Sequence, residues 1–143
     1  MNETINNIVN RRSVRSYQNK QVDEEALQQI LQAGLYAPSG MGRQPTIMVV
    51  IQDEATIKEV SRLNGAVMNN DSDPFYGAPT VIVVLADSTV PTYREDGSLV
   101  IGNLMNAAWA VGVDSCWIHR AREVFNSPEG KALLKKWGID EKY

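Results

Sequence analysis

The chain has 143 residues, 43% of them hydrophobic, and 14 basic against 17 acidic side chains leave a formal net charge of −3. A length of this order suits one domain whose core buries roughly two thirds of the unfolded surface, so neither disulfides nor metals are needed for folding. The acidic balance argues against generic nucleic-acid or anionic-membrane binding, the single Cys116 excludes an internal disulfide framework and suits a cytoplasmic home, and the single His119 cannot build a zinc site with Cys116 alone.

Ile5, Ile8 and Val9 stand at helical spacing and predict a short N-terminal helix that runs into the basic stretch Arg11-Arg12-Ser13-Val14-Arg15. No basic region followed by an apolar run is present there, so no signal peptide is expected. Asp23 reads as a helix N-cap, followed by Glu24 and Glu25 in a first turn and by Ala26, Leu27, Ile30, Leu31 and Leu35 on one face. Pro38 ends that helix and opens the small-residue loop Pro38-Ser39-Gly40-Met41-Gly42-Arg43-Gln44-Pro45. Thr46 to Ile51 is a β-rich run between Pro45 and Asp53 and predicts a strand. A moderately amphipathic helix comes next over Ala55 to Met68, then a polar loop over Asn69 to Asp73. Thr80 to Leu85 is rich in β-branched residues, which suits a strand buried on both faces.

Gly97 to Val113 is apolar nearly all round, the pattern of a helix that is buried or lies in an interface. No apolar run approaches the ~20 residues of a membrane helix. Ser115 to His119 predicts a short strand or extended turn. Ser127-Pro128-Glu129 is an N-cap with Pro at the first helical position, and the helix it opens carries Leu133, Leu134 and Trp137 and stops at Gly138. The result is a mixed α/β layer in which helices cover a small sheet of two or three strands. So thin a sheet implies either a partner chain that completes it or further sequence.

The usual catalytic constellations are absent: no nucleophile elbow, no P-loop, no cluster at metal-ligand spacing. A chain so poor in acid–base groups is expected to take its chemistry from a cofactor. Three segments could hold one. Arg11, Arg12, Ser13 and Arg15 offer three guanidinium groups and a hydroxyl, which match a phosphate; the alternative is a solvated helix end, where cations suit the dipole. The Pro38–Pro45 loop lets backbone approach a flat ligand, with Ser39, Arg43 and Gln44 as hydrogen-bonding groups; the alternative is an ordinary helix–strand connection. Trp117 and Ile118, with the backbone up to Arg120, could pack on an aromatic ring; the alternative is core, with His119 a structural histidine.

Taken in order, these segments resemble the FMN-dependent nitroreductase family. Arg11-Arg12-Ser13-Val14-Arg15-Ser16-Tyr17 is similar to its N-terminal phosphate-binding motif, and Ala37 to Pro45 to its flavin-covering loop. Asp73-Pro74-Phe75-Tyr76-Gly77-Ala78-Pro79-Thr80 and Gly112-Val113-Asp114-Ser115-Cys116-Trp117-Ile118-His119-Arg120 resemble two further family segments. The resemblance implies an α+β fold, with a small mixed or antiparallel sheet covered by helices and a central helix that forms an interface. It implies a single flavin-binding domain over residues 1–143, in a homodimer with FMN at the interface. Arg11, Ser13 and Arg15 would hold the FMN phosphate, with Arg12 alongside. Pro38, Ser39, Gly40, Met41, Gly42 and Gln44 would contact the isoalloxazine of the other subunit. Asn64 would touch the ring or ribityl chain. Trp117, Ile118, His119 and Arg120 would lie near the ring, with a backbone N–H reaching N5. The implied activity is oxidoreduction: hydride passes from NAD(P)H through flavin N5 to a nitroaromatic, quinone or similar small acceptor in a ping-pong cycle, with no protein side chain as catalyst and no metal. The alternative is a non-catalytic flavin-binding or regulatory protein with an incomplete site.

The chain departs from the family pattern at Gly42, where Asn is frequent, and at Thr46, where Trp is frequent. It also ends at Tyr143, where the family continues with another strand and an arm that brings basic residues to the phosphate.

Overall fold

The computed structural model describes residues 1–143 throughout. The elements in chain order are α1 (Glu3–Asn10), α2 (Glu24–Leu35), a 3-10 turn (Gly40–Gly42), β1 (Thr46–Ile51), α3 (Glu54–Val67), β2 (Val81–Ala86), α4 (Tyr93–Ala110), α5 (Ala121–Asn126) and α6 (Pro128–Lys136). The fold is α+β, with β1 and β2 paired as the two-stranded sheet. At one end of the pair the Asp87 N–H donates to the Pro45 carbonyl at 2.8 Å; at the other, Gln52 Nε2 donates to Thr80 Oγ1 at 3.1 Å. The strands are therefore antiparallel. Two compact units share the chain, one of residues 1–15, 22–48 and 84–117, the other of residues 16–21, 49–83 and 118–143.

The first unit is built on α2 against α4. Asp23 caps α2 by accepting from the Ala26 N–H at 2.9 Å, and the helix buries Ala26, Leu27, Ile30 and Gly34. Opposite them α4 buries Asp96, Val100, Leu104 and Ala108, a row with four-residue spacing that lies along one side of a helix. Val100 and Leu104 in this row each contribute about 1.5–3 kcal/mol when fully buried. The helices meet closely at Gly34, where a Cβ would stand 2.8 Å from a Leu104 methyl and 2.9 Å from the Met48 sulfur. Asn103 Nδ2 fastens the pair by donating to the Ala33 carbonyl at 2.9 Å. The apolar surround expected of α4 thus resolves into one buried row, while Leu99 is exposed. The helix also begins a full turn before Gly97, because Tyr93, Arg94, Glu95 and Asp96 are helical although their polarity masks the pattern. The predicted helix α1 forms, capped by Asn2 on the Ile5 N–H, but it buries no residue, and Ile5, Ile8 and Val9 face outward.

In the second unit α3 packs on α5 and α6. Asp53 caps α3 through the Thr56 N–H and hydroxyl, at 2.8 and 2.6 Å, and these bonds hold its carboxyl below the ordinary value. α6 starts as expected on Pro128, with Ser127 Oγ accepting from the Gly130 N–H at 3.0 Å. Asp73 organises the turn that leads to β2. Partial burial pushes its carboxyl up, but the Ser61 hydroxyl and the Phe75 and Gly77 N–H groups, at 2.7, 2.9 and 2.7 Å, outweigh that and leave it below its ordinary value. In β2 only Val83 and Leu85 are buried, so the strand is covered fully on one face rather than two. The segment predicted as a third strand, 115–119, forms a single parallel bridge, Ser13 to Ser115, and no ladder.

Candidate functional site

In the first unit the basic stretch is held as an extended segment. The Val14 N–H donates to the Ser115 carbonyl at 3.0 Å, beside the Ser13–Ser115 bridge. The neighbouring guanidinium groups differ sharply. Arg12 Nη1 donates to the Val9 and Arg11 carbonyls at 2.8 and 2.9 Å, so Arg12 closes the C-terminal end of α1. This is the helix-end role that cations ordinarily take. Arg11 is half-buried, and its Nη1 is shielded from water with no hydrogen-bond partner in the chain. A buried donor left unpaired costs about 1–3 kcal/mol. The arrangement therefore calls for an external acceptor, and an anionic oxygen is the best match for a guanidinium. Ser13 and Arg15 are exposed on the same segment. These residues fit a phosphate group.

The Pro38–Pro45 loop is also in the first unit and is bound to itself and to α4. Ser39 Oγ accepts from the Gln44 N–H at 2.9 Å, and the Ser39 carbonyl accepts from the Gly42 N–H at 3.0 Å. The Gly40 N–H donates to Asp96 Oδ1 at 2.9 Å. Met41, Gly42 and Gln44 take left-handed backbone, with φ of 56°, 66° and 48°. At Gly42 that conformation suits Gly or Asn and few other residues. Met41 is 86% exposed, held outward by this backbone. Pro38 is exposed as well. The third segment begins in this unit with Trp117, which is 52% exposed and so is not core.

The second unit carries Ile118, His119, Arg120 and Asn64. Asn64 is 3% exposed on α3. Its Nδ2 donates to the His119 carbonyl at 3.0 Å, and its Oδ1 accepts from Arg120 Nε at 2.9 Å. Arg120 stands ahead of α5 with φ 81°, an unusual conformation for a residue with a side chain. The Asn64 contacts hold the 119–120 backbone in that shape, with the His119 side chain exposed and Ile118 half-buried.

Two participants had no sequence signal strong enough to find them. Asp96 lies inside a helix read as apolar, and its partner Gly40 is 56 positions away. α5 is only six residues long and lacks a side-chain cap. No group of three or more His, Cys, Asp or Glu side chains is placed to hold a metal, and no helix is long and apolar enough to cross a membrane.

Comparison with known proteins shows what the chain as a whole is similar to. The Nitroreductase family model matches residues 8–143. A protein of Archaeoglobus fulgidus, provisionally named an NADH dehydrogenase/NAD(P)H nitroreductase, is 32% identical over 99% of this chain and 79% of its own length. Among solved structures, a nitroreductase with bound FMN from Bacteroides fragilis is 31% identical and superposes with a TM-score of 0.91, over 99% of this chain and 83% of that one. A nitroreductase with bound FMN from Desulfitobacterium hafniense is 28% identical with a TM-score of 0.90, over 100% and 84% of the two chains. With a family match over residues 8–143 that runs through both compact units and a relative 32% identical over 99% of this chain, the chain belongs to the nitroreductase family.

Proposed function

We propose that this protein is an FMN-dependent oxidoreductase that takes electrons from NAD(P)H and delivers them to small electron-poor acceptors such as nitroaromatics or quinones. The observation that carries the reading is the shielded, unpartnered Nη1 of Arg11 on a segment otherwise locked in place. Family membership and the FMN-bound relatives identify the phosphate-bearing ligand that would meet it.

Arg11 binds the FMN phosphate, with Ser13 and Arg15 as exposed donors on the same strand-like segment and Arg12 alongside as the closure of α1. Pro38, Ser39, Gly40, Met41, Gly42 and Gln44 cover the isoalloxazine of a partner subunit. Trp117 offers an exposed indole face to the ring, and Ile118, His119 and Arg120 present backbone whose shape Asn64 holds. When bound, FMN supplies the two-electron chemistry between nicotinamide and acceptor. The protein's part is to orient the reactants and to keep an open apolar slot for each in turn, so no general base of its own is required. Exposed Ile5, Ile8 and Val9 on α1 and Leu99 on α4 support a homodimer, since outward apolar side chains in this number mark an interaction surface. Residues 1–143 act as one flavin-binding domain, in the cytoplasm, where a lone thiol such as Cys116 stays reduced.

The test is the visible spectrum of the purified chain, together with NADH- and NADPH-dependent reduction of a nitroaromatic with FMN supplied. The expected result is a yellow protein that turns over. A chain that binds no added FMN overturns the reading; one that binds FMN without its reduction by either nucleotide is a flavin-binding protein instead.

A further inference from the structure

Asp96 is 2% exposed, in the otherwise apolar row Val100, Leu104 and Ala108 of α4. A buried carboxylate is costly unless its oxygens are paired. Here Oδ1 accepts from the Gly40 N–H at 2.9 Å and Oδ2 from the Thr92 hydroxyl at 2.7 Å. Gly40 lies so close to Thr92 that a Cβ on it would collide with the Thr92 side chain. The contact therefore requires a glycine at 40, and the glycine in turn lets its N–H reach the carboxylate.

The backbone beyond Gly40 is strained, and that strain is why such an anchor is needed. Met41 and Gln44 hold left-handed φ values that disfavour residues with a side chain by about 1–2 kcal/mol each. A surface loop in that state relaxes unless its surroundings hold it. Ser39 ties the loop's far end to Gln44, and Asp96 ties its near end to the helix. We infer that Asp96 is the positioning residue of the Pro38–Pro45 loop: its buried carboxylate, joined to the Gly40 N–H and the Thr92 hydroxyl, fixes the strained 41–44 backbone in the shape that the flavin ring meets. This rests on the flavin reading above and extends it to a residue that touches neither flavin nor substrate.

The experiment uses the full chain with Asp96→Ala, Asp96→Asn and Thr92→Val, and Arg11→Ala as a control. Two quantities are read: FMN affinity and visible band shape by titration, and the rate of tryptic cleavage between Arg43 and Gln44, monitored by mass as the 1–43 fragment. Loss of hydrogen bonds to a charged group predicts for Asp96→Ala about tenfold faster cleavage, about tenfold weaker FMN binding and an altered flavin band. Asp96→Asn keeps an acceptor for Gly40 and donates to the Thr92 oxygen, so it restores both readouts to within about threefold of wild type. Thr92→Val falls between, and decides the matter if Asp96→Ala does not fold. Arg11→Ala weakens FMN binding without changing the cleavage rate. Wild-type cleavage, affinity and spectrum in Asp96→Ala, or in Thr92→Val where the former is unfolded, overturn the inference while leaving the flavin reading intact. A wild-type chain that binds no FMN overturns both.

Discussion

Arg11 and Asn64 each carry side-chain nitrogen away from water, and the chain treats the two differently. Asn64 donates to the His119 carbonyl and accepts from Arg120, so its polar groups are answered inside the second unit. Arg11 Nη1, in the first unit, is shielded and unanswered. The difference separates two kinds of functional residue. A buried group satisfied within the chain holds other residues in place; a buried group left unsatisfied keeps its bonding capacity open to a partner from outside the chain, as the flavin reading proposes for Arg11.

The strongest way to break this contrast is to remove the unsatisfied group. Arg11→Ala should weaken FMN binding by about 1.5–3 kcal/mol, roughly tenfold to a hundredfold in Kd, and leave folding stability equal or slightly higher, because the orphan donor disappears with it. A stability loss without an affinity loss, read by urea unfolding beside a flavin titration, would place Arg11 with the structural residues. Asn64→Leu is the converse. It strands the His119 carbonyl and Arg120 Nε, so it should cost about 1–3 kcal/mol of stability, seen as a lower urea midpoint at unchanged slope.

Asp73 sharpens the same contrast by pH. Burial raises its carboxyl, but the Ser61, Phe75 and Gly77 hydrogen bonds leave it below the ordinary value of 3.8. The unfolded chain therefore binds a proton there before the folded chain does. Its stabilising contribution is complete above that ordinary value and is lost as pH falls through the lowered native one. Acid unfolding of Asp73→Asn should show a shallower decline below about pH 4 than wild type, and an identical profile would remove Asp73 from the set of internally satisfied anchors. The smallest effect belongs to Arg12→Ala. Its guanidinium is already engaged with the Val9 and Arg11 carbonyls at an exposed helix end, so FMN affinity should change by less than about 0.5 kcal/mol. A loss equal to that of Arg11→Ala would show that the two arginines share one role.

Where a residue's partner is close in sequence, the sequence is readable. Asp23 and Ala26, Asp53 and Thr56, and Ser127 with Pro128 and Gly130 announce helix starts within a few positions. Gly138 stops α6 in a left-handed conformation, as expected. The four family-like segments carried the fold and family for the same reason, since each is a contiguous string. What escaped depends on distant pairs. Nothing near Arg11 in the chain reveals that one nitrogen is shielded while the adjacent Arg12 is engaged. Asp96 meets Gly40 across 56 positions, and Asn64 meets Arg120 across another 56. Trp117 reads from sequence more readily as core than as a ligand platform, and its exposure excludes the core.

The left-handed backbone at Met41 has a practical bearing on protein engineering. Anyone diversifying this outward-facing position would meet a conformational filter before any chemical one. Val, Ile and Thr would be handicapped by branching at the Cβ, whereas Asn and Gly would enter freely. A saturation library there would report on torsion angles as much as on side-chain chemistry.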